Sequence, residues 1–387
     1  MAQELISNKR IGIIGAGACG CVCAKFLLDC GFDVTLFDKG KILRTILPTG
    51  GGRCNLAHNE YDFKALAQNY PRGEKFLYSI FSKFSTADTT EFFDSIGVKT
   101  YIQPDNRIFP VSNSSKEVRE YILKSIRNAQ IVQEKVEKIE KCDNYFKLTT
   151  TKSTWAFDYV IVTIGGHSDF EIIKKLDINI INPTPALVGL VTKADFSQLA
   201  GVSLKNITAK AGNKSYTGDI LFTHKGVSGP LIYKLSSIYA RKEFPYIISL
   251  DIAPDGDFQE TLNNNPHKEI KNIIKPKAIS EYILKSIQIP TETPCHKINA
   301  HIRDKILGLL RNFEIKITGK VPEGETVTCG GVDLKEINPK TRESKKIPGL
   351  YFGGEVLDID GFCGGFNLQN CWSCAYVIAQ GIKQLNS

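Results

Sequence analysis

Arg10-Ile-Gly-Ile-Ile-Gly-Ala-Gly-Ala-Cys-Gly20 is the stretch on which the fold turns. Its opening residues form a short apolar run that ends in glycine, the pattern of a strand buried on both faces of a parallel sheet. Ala18 to Cys30 follows with small residues along one side and reads as a helix, which Gly31 ends. Phe32-Asp-Val-Thr-Leu-Phe37 is a second strand, closing on Asp38. Strand, helix and strand make a βαβ unit.

Gly15, Gly17 and Gly20 have the spacing of a dinucleotide turn. Gly15 permits the tight turn, Gly17 lets backbone approach a pyrophosphate, and Gly20 allows the helix to pack closely on the strand. The helix start then offers amides and a positive dipole end to the phosphates. Asp38 is placed to accept hydrogen bonds from the adenosine ribose. NAD and FAD share this fingerprint, and a methyltransferase also uses an early Gly-rich turn with an acid. The turn alone leaves the ligand open.

Three further Gly-rich sites narrow it. Thr49-Gly-Gly-Gly-Arg-Cys-Asn55 can supply backbone amides and a fixed cation to phosphate or flavin edges. The apolar Tyr159-Val-Ile-Val-Thr-Ile164 runs into Gly165-Gly166, a place for close backbone approach. Gly361-Phe-Cys-Gly-Gly-Phe-Asn-Leu-Gln369 leads into a helix whose amides can face the pyrimidine end of an isoalloxazine ring. An NAD dehydrogenase has no evident use for this second helix terminus. The combination favours FAD.

Further out, Asn69 to Gly97 and Lys116 to Asn128 read as mostly helical, and Gln130 to Ile164 as a small antiparallel ribbon ending in a buried strand. Ala186 to about Ile252 has short strands with Gly, Asn and Asp turns. Glu260 to Phe313 carries helical spacing, Gly349 to Glu355 is another buried strand, and Asn370 to Leu385 is the closing helix. The expected fold is α/β. A discontinuous dinucleotide-binding domain (1–185 with 326–387) holds an inserted β-rich domain (186–255 with 314–325) and a helical insertion (256–313).

At 387 residues, 42% hydrophobic and 23% charged, the chain has the composition of a globular protein with more than one core. No apolar run is long enough to span a bilayer, so no membrane partner is expected. Met1 to Arg10 lacks the regions of a signal peptide, which makes the cytoplasm the expected compartment. The eleven cysteines sit in apolar or Gly-rich surroundings and read as reduced thiols packing as small hydrophobes. Cys371-x-x-Cys374 has redox or metal spacing, but no second pair completes a zinc site; no metal is expected. The net charge of +8 is mild and spread along the chain, so nucleic acid is not the expected partner on charge alone.

The chain resembles the BaiN-type family of NAD(P)/FAD-dependent oxidoreductases, the aminoacetone-oxidase-like FAD-binding flavoproteins. The resemblance rests on Gly15–Gly20, Gly50–Asn55, Arg107-Ile-Phe-Pro-Val-Ser112 and Leu221-Phe-Thr-His-Lys-Gly-Val-Ser-Gly-Pro230. It continues through Thr328-Cys-Gly-Gly-Val332 and Gly349–Asp358 to Gly364–Gln369, so it spans almost the whole chain in order. It implies an FAD-binding Rossmann-like domain, a β-barrel-like domain and a small helical one. The candidate cofactor contacts are then Gly15, Ala16, Gly17, Ala18, Asp38, Lys39, Gly52, Arg53, Cys54, Asn55, Val136, Gly165, Gly166, Gly354, Glu355, Gly365, Phe366, Asn367 and Leu368. The chain departs from the family after Thr163-Ile-Gly-Gly-His167, where a longer loop gives way at once to Ser-Asp-Phe.

Beyond the cofactor, His224 is a candidate general acid or substrate contact, or else a turn histidine bonded to backbone. Arg107 either binds an anionic substrate or pairs with a nearby carboxylate. The first reading is an FAD-dependent oxidoreductase moving hydride between NADH, NADPH or a small organic substrate and the flavin. The alternatives are a non-catalytic FAD-binding module and a flavin-dependent RNA-modifying enzyme.

Overall fold

A computed structural model describes residues 9–253, 257–321 and 327–387. The chain forms two compact units, one running to Thr184 and resuming at Val327, the other made by the chain between. The domain limits expected at 255 and 326 lie outside the described residues, as does the N-terminal stretch before Lys9.

The first unit is built on a five-stranded sheet in the order Leu350–Phe352, Tyr159–Val162, Arg10–Ile14, Asp33–Phe37 and Gln130–Val132, and the strands run parallel. Ile11, Ile13 and Ile14 are buried, as strands covered on both faces require. One cover is an antiparallel sheet of Val136–Lys141, Phe146–Thr150 and Thr154–Phe157. Its Phe157 ring lies so close that a Cβ on Gly12 would come within 2.8 Å of it. The expected ribbon therefore starts later than Gln130, because Gln130–Val132 is taken into the parallel sheet.

Helix Ala18–Asp29 lies against the long C-terminal helix Phe366–Leu385. Cys19, Cys21 and Cys23 pack in its buried face, and burial pushes their thiols well above the ordinary range. None of the eleven cysteines is in a disulfide. The mostly helical stretch expected from Asn69 to Gly97 comprises two helices, Glu74–Phe81 and Thr86–Ser95. Gly73 at φ 82° starts the first, and a Ser85–Asp88 capping box starts the second. The C-terminal helix begins at Phe366, four residues before the expected Asn370. Gly364 and Gly365 take positive φ and end the loop abruptly there.

The second unit holds a closed six-stranded barrel: Leu190–Thr192, Gly226–Ser228, Lys214–Thr223, Ser203–Ala211, Tyr246–Asp251 and Phe313–Lys320. Inward and outward residues alternate, most cleanly from Phe313 to Thr318. Helices Phe258–Asn263, Lys277–Ser286 and Ala300–Arg311 share the barrel's core. Leu262, Ile283, Ile306 and Leu310 join Phe222, Leu250 and Ile315 in one hydrophobic cluster. Amphipathic helices this short gain their stability from such packing. Among the described residues no helix is long and apolar enough to cross a membrane.

Candidate functional site

Gly15, Asp38, Gly165 and Gly354 follow the C-terminal ends of four parallel strands, where open α/β sheets bind their ligands. Gly15 has φ 100°, and a Cβ there would sit 2.5 Å from Thr163 O. A Cβ on Gly20 would lie 2.0 Å from Gly15 O. Both glycines are thus demanded by packing. Gly17 differs: its φ of −84° is ordinary, and the nearest atom to a Cβ there is Thr45 Oγ1 at 3.9 Å. Space is kept in front of Gly17 at the start of helix Ala18–Asp29, where no side chain caps the amides. An uncapped helix start behind a bare glycine fits a phosphate.

Asp38 accepts hydrogen bonds from Ala16 N and Gly40 N, each at 2.8 Å, one on each carboxylate oxygen. Each oxygen keeps acceptor capacity for a ligand hydroxyl. The carboxylate borders a cavity of about 260 Å³ that is also lined by Lys41, Arg119, Ile131, Val132 and Gln133. Lys39 is exposed beside it. Val136 is buried in its own strand opposite Thr150, and Val132 lines the cavity instead.

Gly50, Gly51 and Gly52 adopt φ of 58°, 69° and 84°, and Cys54 follows at 64°. This left-handed turn leaves Gly51 and Gly52 with nothing within 4 Å of a Cβ, whereas Gly50 presses on Asn55 and Phe109. Burial pushes the Cys54 thiol up to about 12. Arg53 lies 4.2 Å over the Phe109 ring, and Arg107 is 5.5 Å from the same ring. Arg107 pairs with Asp105 at 2.6 Å. Asn55 sends its amide nitrogen to Ala57 O and Ile108 O, at 3.0 and 3.2 Å, and receives Gly365 N at 3.0 Å. It ties the second Gly-rich turn to the fourth.

That fourth loop is held from several sides. Asn367 bonds both Gly361 N and Gly361 O at 2.8 Å. Asp360, fully buried, pairs with Arg72 through both carboxylate oxygens. Tyr70 OH donates to Phe366 O at 2.5 Å. His58 places Nδ1 3.3 Å from Gly364 O and its ring 4.7 Å from Phe366. A carbonyl only accepts, so Nδ1 carries the proton. Partial burial holds the His58 pKa below its ordinary value. The Phe366 helix starts behind Gly365 with no side-chain cap, and Leu368 is half-buried in its first turn. Nothing in the spacing around Leu56-Ala-His58 singled out that histidine.

Gly165 at φ 78° faces open space, while a Cβ on Gly166 would strike Thr328 at 2.5 Å. Glu355 lies beside it and accepts Thr328 N at 2.8 Å. Gly354 (φ 75°) is wedged against Cys19 and Cys371. Burial raises the Cys371 thiol as well. His224 sits on the exposed turn of a barrel hairpin in the other unit. In the first unit, then, two uncapped helix starts and three glycine turns with open approaches fit an extended dinucleotide with a planar head group.

Comparison with known proteins agrees in extent. An rRNA dihydrouridine synthase of Haemophilus influenzae is 30% identical over 96% of this chain and 98% of its own length. The Escherichia coli protein of that name is 28% identical, covering 96% and 97%. A 3-dehydro-bile acid delta(4,6)-reductase of Clostridium scindens is 28% identical, covering 97% and 99%. Among solved structures, 3-ketosteroid delta1-dehydrogenase from Sterolibacterium denitrificans superposes with a TM-score of 0.50 at 13% identity, over 98% of this chain and 100% of that one. It shares the fold. The model of the HI0933-like protein Rossmann domain matches residues 9–381, and the chain belongs to that family.

Proposed function

We propose that this chain, an FAD-dependent oxidoreductase, reduces a carbon–carbon double bond conjugated to a carbonyl, and that its substrate is uracil in ribosomal RNA. The observation that carries this is the full-length match to two rRNA dihydrouridine synthases. Dihydrouridine is uridine with its conjugated double bond saturated. The bile-acid relative's name describes the same bond type beside a ketone. For this chain the balance is one NADH or NADPH oxidised, a hydride added to the carbon β to the carbonyl and a proton from solvent added to the α carbon.

The residues divide that work. Amides behind Gly17 would hold the pyrophosphate, and Asp38 the ribose; Gly52, Arg53 and the Phe366 helix start would hold the head group. When bound, FAD supplies two-electron hydride chemistry. The positive end of the Phe366 helix and the Arg53 cation favour negative charge there. His58, neutral near pH 7, keeps Gly364 and its loop in place.

The test is anaerobic. Flavin reduced by NADH or NADPH should be reoxidised by unmodified ribosomal RNA, and digestion should release a nucleoside two hydrogens heavier than uridine. A flavin that is reoxidised only by a ketone-conjugated sterol, with uridine unchanged, would move the assignment to a small-molecule reductase. The bile-acid relative supports that second reading.

A further inference from the structure

The barrel unit carries a surface that the chemistry above leaves unused. Between helix Pro230–Ile238 and strand Tyr246–Asp251 runs Tyr239-Ala-Arg-Lys-Glu-Phe-Pro-Tyr-Ile247. Phe244 is 40% exposed, and its ring stacks on that of Tyr246 at 5.4 Å and 21°. One face of Phe244 is therefore covered and supported. Lys242 holds its ammonium 5.0 Å from the Tyr239 ring and 5.3 Å from the Tyr246 ring. Arg241 is exposed beside it. Ile247, 52% exposed, stands opposite Lys316 on the next strand. Glu243 is the one carboxylate in the segment.

An exposed stacked phenylalanine forgoes part of the burial that a core position would give it. A π-face with cations near it is what an unpaired nucleotide needs, a platform for the base and a counter-charge for the phosphate. Residues 185–326 hold 19 Lys and Arg against 14 Asp and Glu, so this unit carries five of the chain's eight net positive charges. We infer that Phe244, with Arg241, Lys242 and Lys316, forms a docking ledge for single-stranded RNA. The inference rests on the RNA reading above and assigns that substrate a second point of contact.

The experiment uses the full-length holoprotein and a fluorescein-labelled oligouridylate in anisotropy titrations at stepped salt. Phe244→Ala should weaken binding about tenfold and leave the salt dependence unchanged, because stacking releases no counterions. Phe244→Trp should restore it. Arg241→Ala with Lys242→Ala should flatten the slope of log affinity against log salt by roughly 1.4, at about 0.7 per phosphate contact on a single strand. Flavin reduction by NADH or NADPH should match wild type in every variant. Phe244→Ala binding like wild type overturns the ledge, and saturation of uridine in ribosomal RNA, measured separately, shows whether the RNA reading survives. A wild-type protein that binds no single-stranded RNA overturns the ledge as well.

Discussion

At the scale of single residues, the glycines of the first turn separate folding from ligand binding. Gly20 is needed by the protein itself, since a Cβ would meet Gly15 O at 2.0 Å and backbone cannot give way cheaply. Gly17 is needed only by something else, since its φ suits any residue and the space before it is open. Gly17→Ala should leave the flavin-free protein at wild-type melting temperature and weaken FAD binding at least tenfold, read by flavin fluorescence. Gly20→Ala should destabilise the flavin-free protein by about 1–3 kcal/mol, the range typical of overpacking, and lower its melting temperature. Equal thermal losses in the two variants would show that the space before Gly17 is not a ligand approach.

At the scale of elements, the fourth loop and the helix it feeds hold His58 partly buried, where the uncharged ring is favoured. The folded pKa lies below the ordinary 6.5 because burial penalises the cation. The unfolded chain therefore takes up this proton first as pH falls, and the stabilisation present above 6.5 is lost as pH drops through the folded value. Denaturant midpoints should decline on the acid side of 6.5, and His58→Gln should flatten that decline. A variant that keeps the wild-type acid limb would place its origin elsewhere. These elements also show what the sequence disclosed. The βαβ unit was legible because its apolar run, glycine spacing and terminal Asp38 are all local. The start of the last helix was not, because Phe366-Asn-Leu-Gln369 follows glycines and reads as loop until Phe366 is seen packed on His58 and Tyr70. His58 and the Arg53–Phe109 contact were invisible for the same reason: their partners are remote in sequence. Barrel closure rests on pairing Leu190–Thr192 with Phe313–Lys320, more than a hundred residues apart.

At the scale of the whole molecule, the chemistry proposed for the cofactor draws on one unit only. Every glycine turn named above, with Asp38, Arg53, Glu355 and Asn367, belongs to the unit that ends at Thr184 and resumes at Val327. The other unit has a core of its own, drawn from Leu190 to Ile317. A domain with its own core unfolds as its own cooperative unit. Calorimetry of the flavin-free protein should therefore resolve two transitions. A ligand that binds one folded unit stabilises that unit by about 2.7 kcal/mol when free ligand stands a hundredfold above its Kd. Added FAD should raise one transition by several degrees and leave the other in place, whereas saturating oligouridylate should act on the transition that FAD leaves alone. Two resolved transitions that FAD raises together would overturn the assignment of the site to one unit.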